Sequence, residues 1–237
     1  MLLMLPKILQ MVQEYGQGEM RRPVEIEFAV TLDAMKKTGT FYLLQIRPMV
    51  DVKADLAEAL NLIPDEKVIL KSFNSLGHGV MEDIHDLVYV KTDGYSASNN
   101  PAIAYEIEKL NRKFLDEGKN YVLVGPGRWG SSDSWLGIPV KWPHISAARV
   151  IVEAGLTNYR VDPSQGTHFF QNLTSFGVGY FTINAYMNDG LYNLDFLNAQ
   201  PAIEETQFVR HIRFERPVTI KMDGKKKVGV VMMPEES

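Results

Sequence analysis

Residues 24–48 read VEIEFAVTLDAMKKTGTFYLLQIRP, two apolar stretches separated by a short polar one. Side chains alternate along a strand, so Glu25 and Glu27 fall on one face of the first stretch and Ile26, Phe28 and Val30 on the other. The second stretch repeats the pattern, with Gln45 and Arg47 on one face and Tyr42, Leu44 and Ile46 opposite. Pairing through the polar loop Asp33 to Gly39 would set two carboxylates beside an amide and a guanidinium. Carboxylate and amide oxygens are hard ligands suited to Mg²⁺, and a planar guanidinium suits phosphate. The hairpin therefore predicts a metal-phosphate site built from Glu25, Glu27, Gln45 and Arg47.

The pattern EIEF followed by LLQIRP resembles the closing strands of the ATP-grasp nucleotide-binding domain in the phosphoenolpyruvate synthase and pyruvate phosphate dikinase family. That family has an acidic residue, Ile, Glu and an aromatic, then an apolar strand ending in Gln, a variable residue, Arg and Pro. The resemblance implies that Glu27 and Gln45 help hold the Mg²⁺ of Mg·ATP and that Arg47 contacts its terminal phosphates. Glu25 stands where the family usually has Asp. The likeness covers about the first fifth of the chain. In the family these strands close a long domain, whereas here one helical stretch, Leu2 to Tyr15, precedes them. The resemblance thus implies the carboxyl-terminal region of an ATP-dependent phosphotransferase, with the upstream ATP-grasp half in the same or a separate chain and little turnover by this region alone.

A length of 237 residues allows one large domain or two small ones. The expected division is residues 1–50, the terminal helix and strands of an ATP-grasp-like domain, and 51–237, an additional α/β domain ending in a β-hairpin. A net charge of -4 gives no general pull toward nucleic acid or anionic lipid, so any anion site must be local. The absence of cysteine excludes disulfides, thiolate zinc sites and cysteine nucleophiles, and is compatible with a reducing cytoplasm. The opening MLLMLPKILQMVQEYG is interrupted by Pro6 and Lys7 and lacks a small-residue cleavage site, unlike an export signal. Its Leu5, Ile8, Leu9 and Val12 follow helical spacing, which predicts a helix packed on the hairpin.

Further along, Asp55 to Leu62 reads as a short helix, Lys67 to Ser72 and Asp86 to Lys91 as strands, and SLGHGVMEDIHD between them as a loop. A helix is predicted from Asn100 as cap with Pro101 in its first turn, presenting Ile103, Ile107, Leu110 and Phe114, and ending at Gly118. Strands are predicted at Tyr121 to Val124, Arg149 to Glu153 and Val178 to Asn184. Residues 208–233 alternate polar and apolar around Asp223-Gly224, a hairpin signal. Helices and strands alternate through the middle and strands dominate the end. The expected class is α/β or α+β, a mixed β-sheet with flanking helices.

A second polar constellation begins at Gly125 with GPGRWG directly after a strand. A dinucleotide fingerprint needs its third glycine to open a helix, and Gly137, Pro139 and Pro143 oppose one here. Two readings remain. In one, exposed backbone N–H groups with Arg128, Ser131 and Ser132 form an anion site, and Asp133 orients the arginine or holds a metal. In the other, Arg128 pairs with Asp133 in a tight turn whose tryptophans fill a core edge.

Residues 163–184 crowd Gln165, His168, Gln171, Asn172, Thr174 and Ser175 among aromatics. Burying amides and an imidazole demands partners, so this is an internal hydrogen-bond network or the wall of a polar pocket. His168 is the acid/base candidate of the second half if a pocket forms. A non-enzymatic rival follows: a binding or regulatory module in which Arg128, Ser131, Asp133, Gln165 and His168 accept a phosphorylated or carboxylated metabolite. An interaction scaffold with a vestigial hairpin is a third reading.

Three other motifs carry less. His144 lies in HISAARVIVE, where Ile145 and Ser146 intervene before the alanines, unlike the phosphohistidine segment of the resembling family. His78 and His85 bracket Glu82, Asp83 and Asp86 without a compact zinc spacing, and read as solvated loop charges. No GxSxG nucleophile elbow occurs.

Overall fold

A computed structural model of the chain describes residues 5–20, 24–33, 38–48, 60, 63–160, 162, 173 and 176–235. The chain divides into two compact units, Met1–Lys53 and Ala54–Ser237.

In the first unit, helix α1 (Leu5–Met20) accompanies an antiparallel pair, β1 (Val24–Asp33) and β2 (Thr38–Pro48). Leu5, Ile8, Leu9 and Val12 are half-buried, as their helical spacing predicts, while Lys7, Gln10 and Met11 are exposed. The closest approach is at Gly16, the helix's buried residue. A Cβ there would stand 2.4 Å from Ile46 Cδ1 and 2.9 Å from Val24 Cγ2. Replacing Gly16 by Val is therefore expected to push the helix off the hairpin at a cost of about 1–3 kcal/mol, the usual penalty of overpacking. Loss of amide-exchange protection in residues 24–30 and 41–47, with that of the second unit unchanged, is the readout.

The strand register places Glu25 opposite Arg47, Ile26 opposite Ile46 and Glu27 opposite Gln45. Beyond this point the alternation departs from the sequence expectation. Phe28 pairs with Leu43, so Leu44 is an extra residue on β2, and from there the strand is re-phased. Tyr42, expected on the apolar face, pairs instead with Ala29 on the face of Gln45 and Arg47. Leu43 and Phe41 take the apolar face, where Phe41 stacks on Phe28 at 5.2 Å between ring centroids.

The second unit is built on a mixed sheet with helices beside it. Its strands are β3 (Val68–Ser72), β4 (Asn74–Leu76), β5 (His78–Val90), β6 (Tyr121–Pro126), β7 (Arg128–Trp129), β8 (Gly137–Ile138), β9 (Ala148–Ala154), β10 (Gly179–Ile183), β11 (Leu191–Tyr192), β12 (Ala202–Glu205), β13 (Val209–Asp223) and β14 (Val228–Met232). Its helices are α2 (Asn100–Asp116) and α3 (Leu194–Ala199). The main sheet runs β11-β3-β14-β13-β5-β6-β9-β10-β4, with β12 added on β13, while β7 and β8 pair separately. Strands β5, β6, β9 and β10 are mutually parallel, and α2 supplies the crossover from β5 to β6.

The topology requires the sheet to curl. Strands β3 and β4 are separated in the chain only by Phe73, yet β4 ends the path and β3 lies next to its other end. Two residues span at most about 7 Å, so the two ends must meet. They do: Ser72 Oγ donates to the carbonyl of Thr182 at 2.7 Å, and Ser75 N–H donates to that of Lys227 at 2.9 Å. The concave side holds one core, with Ile69, Val122, Val152, Phe181, Ile220 and Val231 contributed by six strands. The outer side of the parallel strands packs Leu123, Ile151 and Tyr180 against Ile103, Ile107, Leu110 and Phe114 of α2.

Several local expectations change. Residues 75–86 are strand rather than loop for most of their length, because β4 and β5 occupy them. Asn99, not Asn100, stands at the N-cap of α2, and it makes no side-chain cap hydrogen bond. Asn100 is buried within the first turn and reaches out to the carbonyls of Ser134 and Gly137 at 2.7 and 3.1 Å. The final hairpin turns through four residues, 224–227, and Asp223 Oδ1 accepts from the N–H groups of Lys225 and Lys226. The helix expected at Asp55 to Leu62 lies outside the described residues except for Leu60. No helix among the described residues is long and apolar enough to cross a membrane.

Candidate functional site

On the hairpin, the pairs Glu25/Arg47 and Glu27/Gln45 are adjacent cross-strand partners on one face. Arg47 Nε donates to Glu25 Oε2 at 3.0 Å, with side-chain exposures of 42% and 62%. A pair this wet contributes no more than about 1 kcal/mol, so an incoming phosphate can displace the carboxylate from the guanidinium. Glu25 is thus the counter-ion of Arg47 in this state. Glu27 and Gln45 are exposed and present a carboxylate and an amide oxygen side by side. These are hard ligands in keeping with Mg²⁺, which retains waters and phosphate oxygens for its other positions. Two such residues make a partial site, and among the described residues no group of three or more acidic or His side chains could hold a metal.

The second region lies at the carboxyl ends of β6, β9 and β10, where open α/β sheets commonly bind ligands. The first glycine of GPGRWG is explained by Trp129. Its ring lies so close over Gly125 that a Cβ there would fall 2.3 Å from Cζ2, and Gly127 turns the chain at φ +69°. Trp129 is buried, donating Nε1–H to the carbonyl of Val152 at 2.9 Å and its backbone N–H to Glu153 Oε1 at 2.9 Å. The other oxygen of Glu153 accepts from the Tyr180 hydroxyl at 2.6 Å.

The backbone N–H groups expected to cradle an anion are spent within the protein. Gly127 donates to Ala154, Arg128 to Leu136 and Gly130 to Ile138, in each case to the carbonyl. Arg128 does not pair with Asp133; its Nε donates to the carbonyl of Asp162 at 2.6 Å. Asp133 closes its own turn, accepting from Trp135 N–H at 2.9 Å, and Ser131 Oγ donates to the Asp133 carbonyl at 2.7 Å. Ser132 is exposed, and Trp135 is not a core residue but 66% exposed. Tyr159 holds this turn from below by donating to the Trp135 carbonyl at 2.7 Å. Beside it, burial pushes the Tyr95 hydroxyl well above the usual tyrosine range, so it remains a donor to Asn100 Oδ1 at 2.9 Å. Gln165, His168 and Gln171 lie outside the described residues.

The remaining histidines are structural neighbours of strands. His144 Nδ1 accepts from Lys141 N–H at 3.1 Å in a short turn, and His85 Nδ1 lies 3.1 Å from the Phe214 carbonyl. Asp86, read from sequence as a solvated loop charge, is 3% exposed in the middle of β5. His211 Nε2 and Arg213 Nε, both from β13, reach the same Asp86 oxygen at 2.6 and 2.8 Å. Burial alone would raise the Asp86 carboxyl, but the hydrogen bonds from His211 and Arg213, with the arginine's charge, hold it below the usual carboxylate range. Sequence reasoning missed this cluster because its members are separated by more than a hundred residues. The one available signal was the polar His211 and Arg213 alternating with apolar Ile212 and Phe214. Comparison with protein-family models, curated proteins and solved structures returns no match.

Proposed function

We propose that this chain is the carboxyl-terminal region of an ATP-dependent phosphotransferase resembling phosphoenolpyruvate synthase and pyruvate phosphate dikinase, and that its hairpin contributes part of a Mg·ATP site. The observation that carries this reading is the direct opposition of Glu27 to Gln45 and of Glu25 to Arg47 on one exposed face. Glu27 and Gln45 would lend oxygens to the metal. Arg47, released from Glu25, would take phosphate oxygens through its guanidinium fork. Their contribution is electrostatic positioning of the transferring phosphoryl group, with the remaining contacts supplied by an upstream nucleotide-binding half. A cysteine-free chain with this activity belongs in the cytoplasm.

A partial site binds weakly, at about millimolar affinity or above, which suits nuclear magnetic resonance. Mn·ATP added to the ¹⁵N-labelled chain is expected to broaden amides of residues 25–28 and 44–47 selectively, and Glu27→Gln is expected to reduce that broadening severalfold. Uniform broadening, or hairpin broadening unchanged in Glu27→Gln, would remove the hairpin from any nucleotide site.

The carboxyl ends of the parallel strands favour a second reading, a non-enzymatic module for a phosphorylated or carboxylated metabolite. Its support is the place of the Arg128 cation just beyond the carboxyl end of β6, where such sheets bind ligands. Stabilisation of the chain by sugar phosphates but not by Mg·ATP would favour this alternative.

A further inference from the structure

Of the three tryptophans, Trp129 is buried and Trp142 stacks on Phe176 at 4.9 Å between ring centroids. Trp135 has no ring partner among the described residues and is 66% exposed. The turn that displays it is nonetheless tied down along its length. Ser131 Oγ donates to the carbonyl of Asp133 at 2.7 Å, Asn100 Nδ2 to that of Ser134 at 2.7 Å, the Tyr159 hydroxyl to that of Trp135 at 2.7 Å, and the Arg128 N–H to that of Leu136 at 3.2 Å. Trp135 N–H donates in turn to Asp133 Oδ1 at 2.9 Å. Donors from α2, from β7 and from the chain after β9 thus fix the backbone of a side chain that itself buries little. Such anchoring removes in advance the freedom that an exposed loop loses when it binds.

A cation stands beside the indole. Arg128 is the parallel partner of Gly137, and a Cβ on Gly137 would fall 2.7 Å from Arg128 Cβ, so the arginine stem rises next to the chain leaving Trp135. Its Nε donates to the carbonyl of Asp162 at 2.6 Å, and the guanidinium has no carboxylate partner among the described residues.

We propose that this edge of the second unit binds a nucleoside monophosphate, its base stacked on the Trp135 indole and its phosphate received by the terminal nitrogens of Arg128. The inference rests on the reading of this end of the sheet as a site for a phosphorylated metabolite, and adds that the metabolite carries an aromatic ring. A base stacks on an exposed aromatic face through its own flat face and needs no enclosed cavity. A guanidinium whose Nε is engaged keeps its two terminal amino groups, an end-on pair for phosphate oxygens. One such cation matches one phosphate, and the carboxylate of Asp133 in the same turn opposes a longer polyphosphate.

The test is a calorimetric titration of the full chain, free of divalent metal, with AMP, adenosine, ribose 5-phosphate and inorganic phosphate, while indole N–H signals of the ¹⁵N-labelled chain locate the binding. AMP is expected to shift the Trp135 signal saturably and to bind at least about tenfold more tightly than adenosine or ribose 5-phosphate, each of which lacks one contact. Trp135→Ala is expected to lose about tenfold in AMP affinity and to keep that for ribose 5-phosphate. Arg128→Gln is expected to weaken both phosphorylated compounds and to leave adenosine unchanged. Glu27→Gln is expected to leave AMP binding intact, which separates this site from the hairpin. If ribose 5-phosphate binds as tightly as AMP and both depend on Arg128, the phosphate site stands and the aromatic ligand is overturned. If neither binds saturably, both fall. AMP affinity undiminished in Trp135→Ala also overturns the assignment. The wild-type comparison of AMP with ribose 5-phosphate needs no variant, so it decides the matter even if a substitution unfolds the chain.

Discussion

Replacing Asp86 by Asn is expected to destabilise the protein by about 3–5 kcal/mol at neutral pH, the cost of removing one partner from a buried ion pair. The carboxylate holds two groups from β13 onto β5 with one oxygen, and it is nearly inaccessible to water. An amide keeps a carbonyl oxygen but supplies no charge, leaving the Arg213 guanidinium without this counter-ion. Urea unfolding at neutral pH measures the loss.

The same substitution has a signature in acid. The folded-state value of Asp86 lies below its ordinary value, because the hydrogen bonds and charge of its partners outweigh the burial that would raise it. A depressed carboxyl stabilises the fold fully above the unfolded value near about 3.9, and that stabilisation is lost as pH falls through the folded value. The difference between wild type and Asp86→Asn should therefore be constant from pH 7 to about 5 and shrink below pH ~4. A difference that stays constant down to pH ~2 would mean that the carboxylate charge contributes nothing to folding.

Asn111→Ala is the second substitution of large effect. Asn111 is 1% exposed on α2, and its side chain completes three hydrogen bonds. Oδ1 accepts from the N–H of Ala147 at 2.9 Å and from the Tyr121 hydroxyl at 3.1 Å, while Nδ2 donates to the carbonyl of Pro143 at 3.0 Å. One amide thus fastens the helix to β6 and to the chain entering β9. Alanine leaves three polar groups to find new partners, at about 1–3 kcal/mol for each that fails. Partial relaxation makes a total of about 3–4 kcal/mol the expected result of chemical denaturation. Tyr121→Phe removes one of those bonds and should cost less. The double variant should be less than additive, because both changes act on the same contact.

Much of the architecture was legible in the linear pattern. The Ile103, Ile107, Leu110 and Phe114 stripe buries as its spacing demands, and Gly118 ends the helix region at φ +63°. Continuous apolar runs became the parallel strands β6, β9 and β10, covered on both sides as such strands must be. Alternation put Glu25 with Glu27 and Gln45 with Arg47, since two residues per repeat leave no choice of face within a strand, while the register that opposes Glu25 to Arg47 and Glu27 to Gln45 is a property of the paired hairpin.

Other features had no local signature. The extra Leu44 exchanged the faces of Tyr42 and Leu43, and one inserted residue in a ladder is invisible to a count of polar and apolar positions. The glycines before Trp129 imitate a nucleotide loop, yet Gly125 lets the indole lie against the chain and Gly127 makes a left-handed turn close to Tyr159. Local order along the chain, then, set the helices, the strands and the polar face of the hairpin, because backbone periodicity couples only near neighbours. Closure of the sheet through Phe73 and the meeting of Asp86 with His211 and Arg213 belong to the folded molecule alone. Those contacts join residues more than a hundred positions apart, and only the pairing of β3 with β14 and of β5 with β13 brings them within reach.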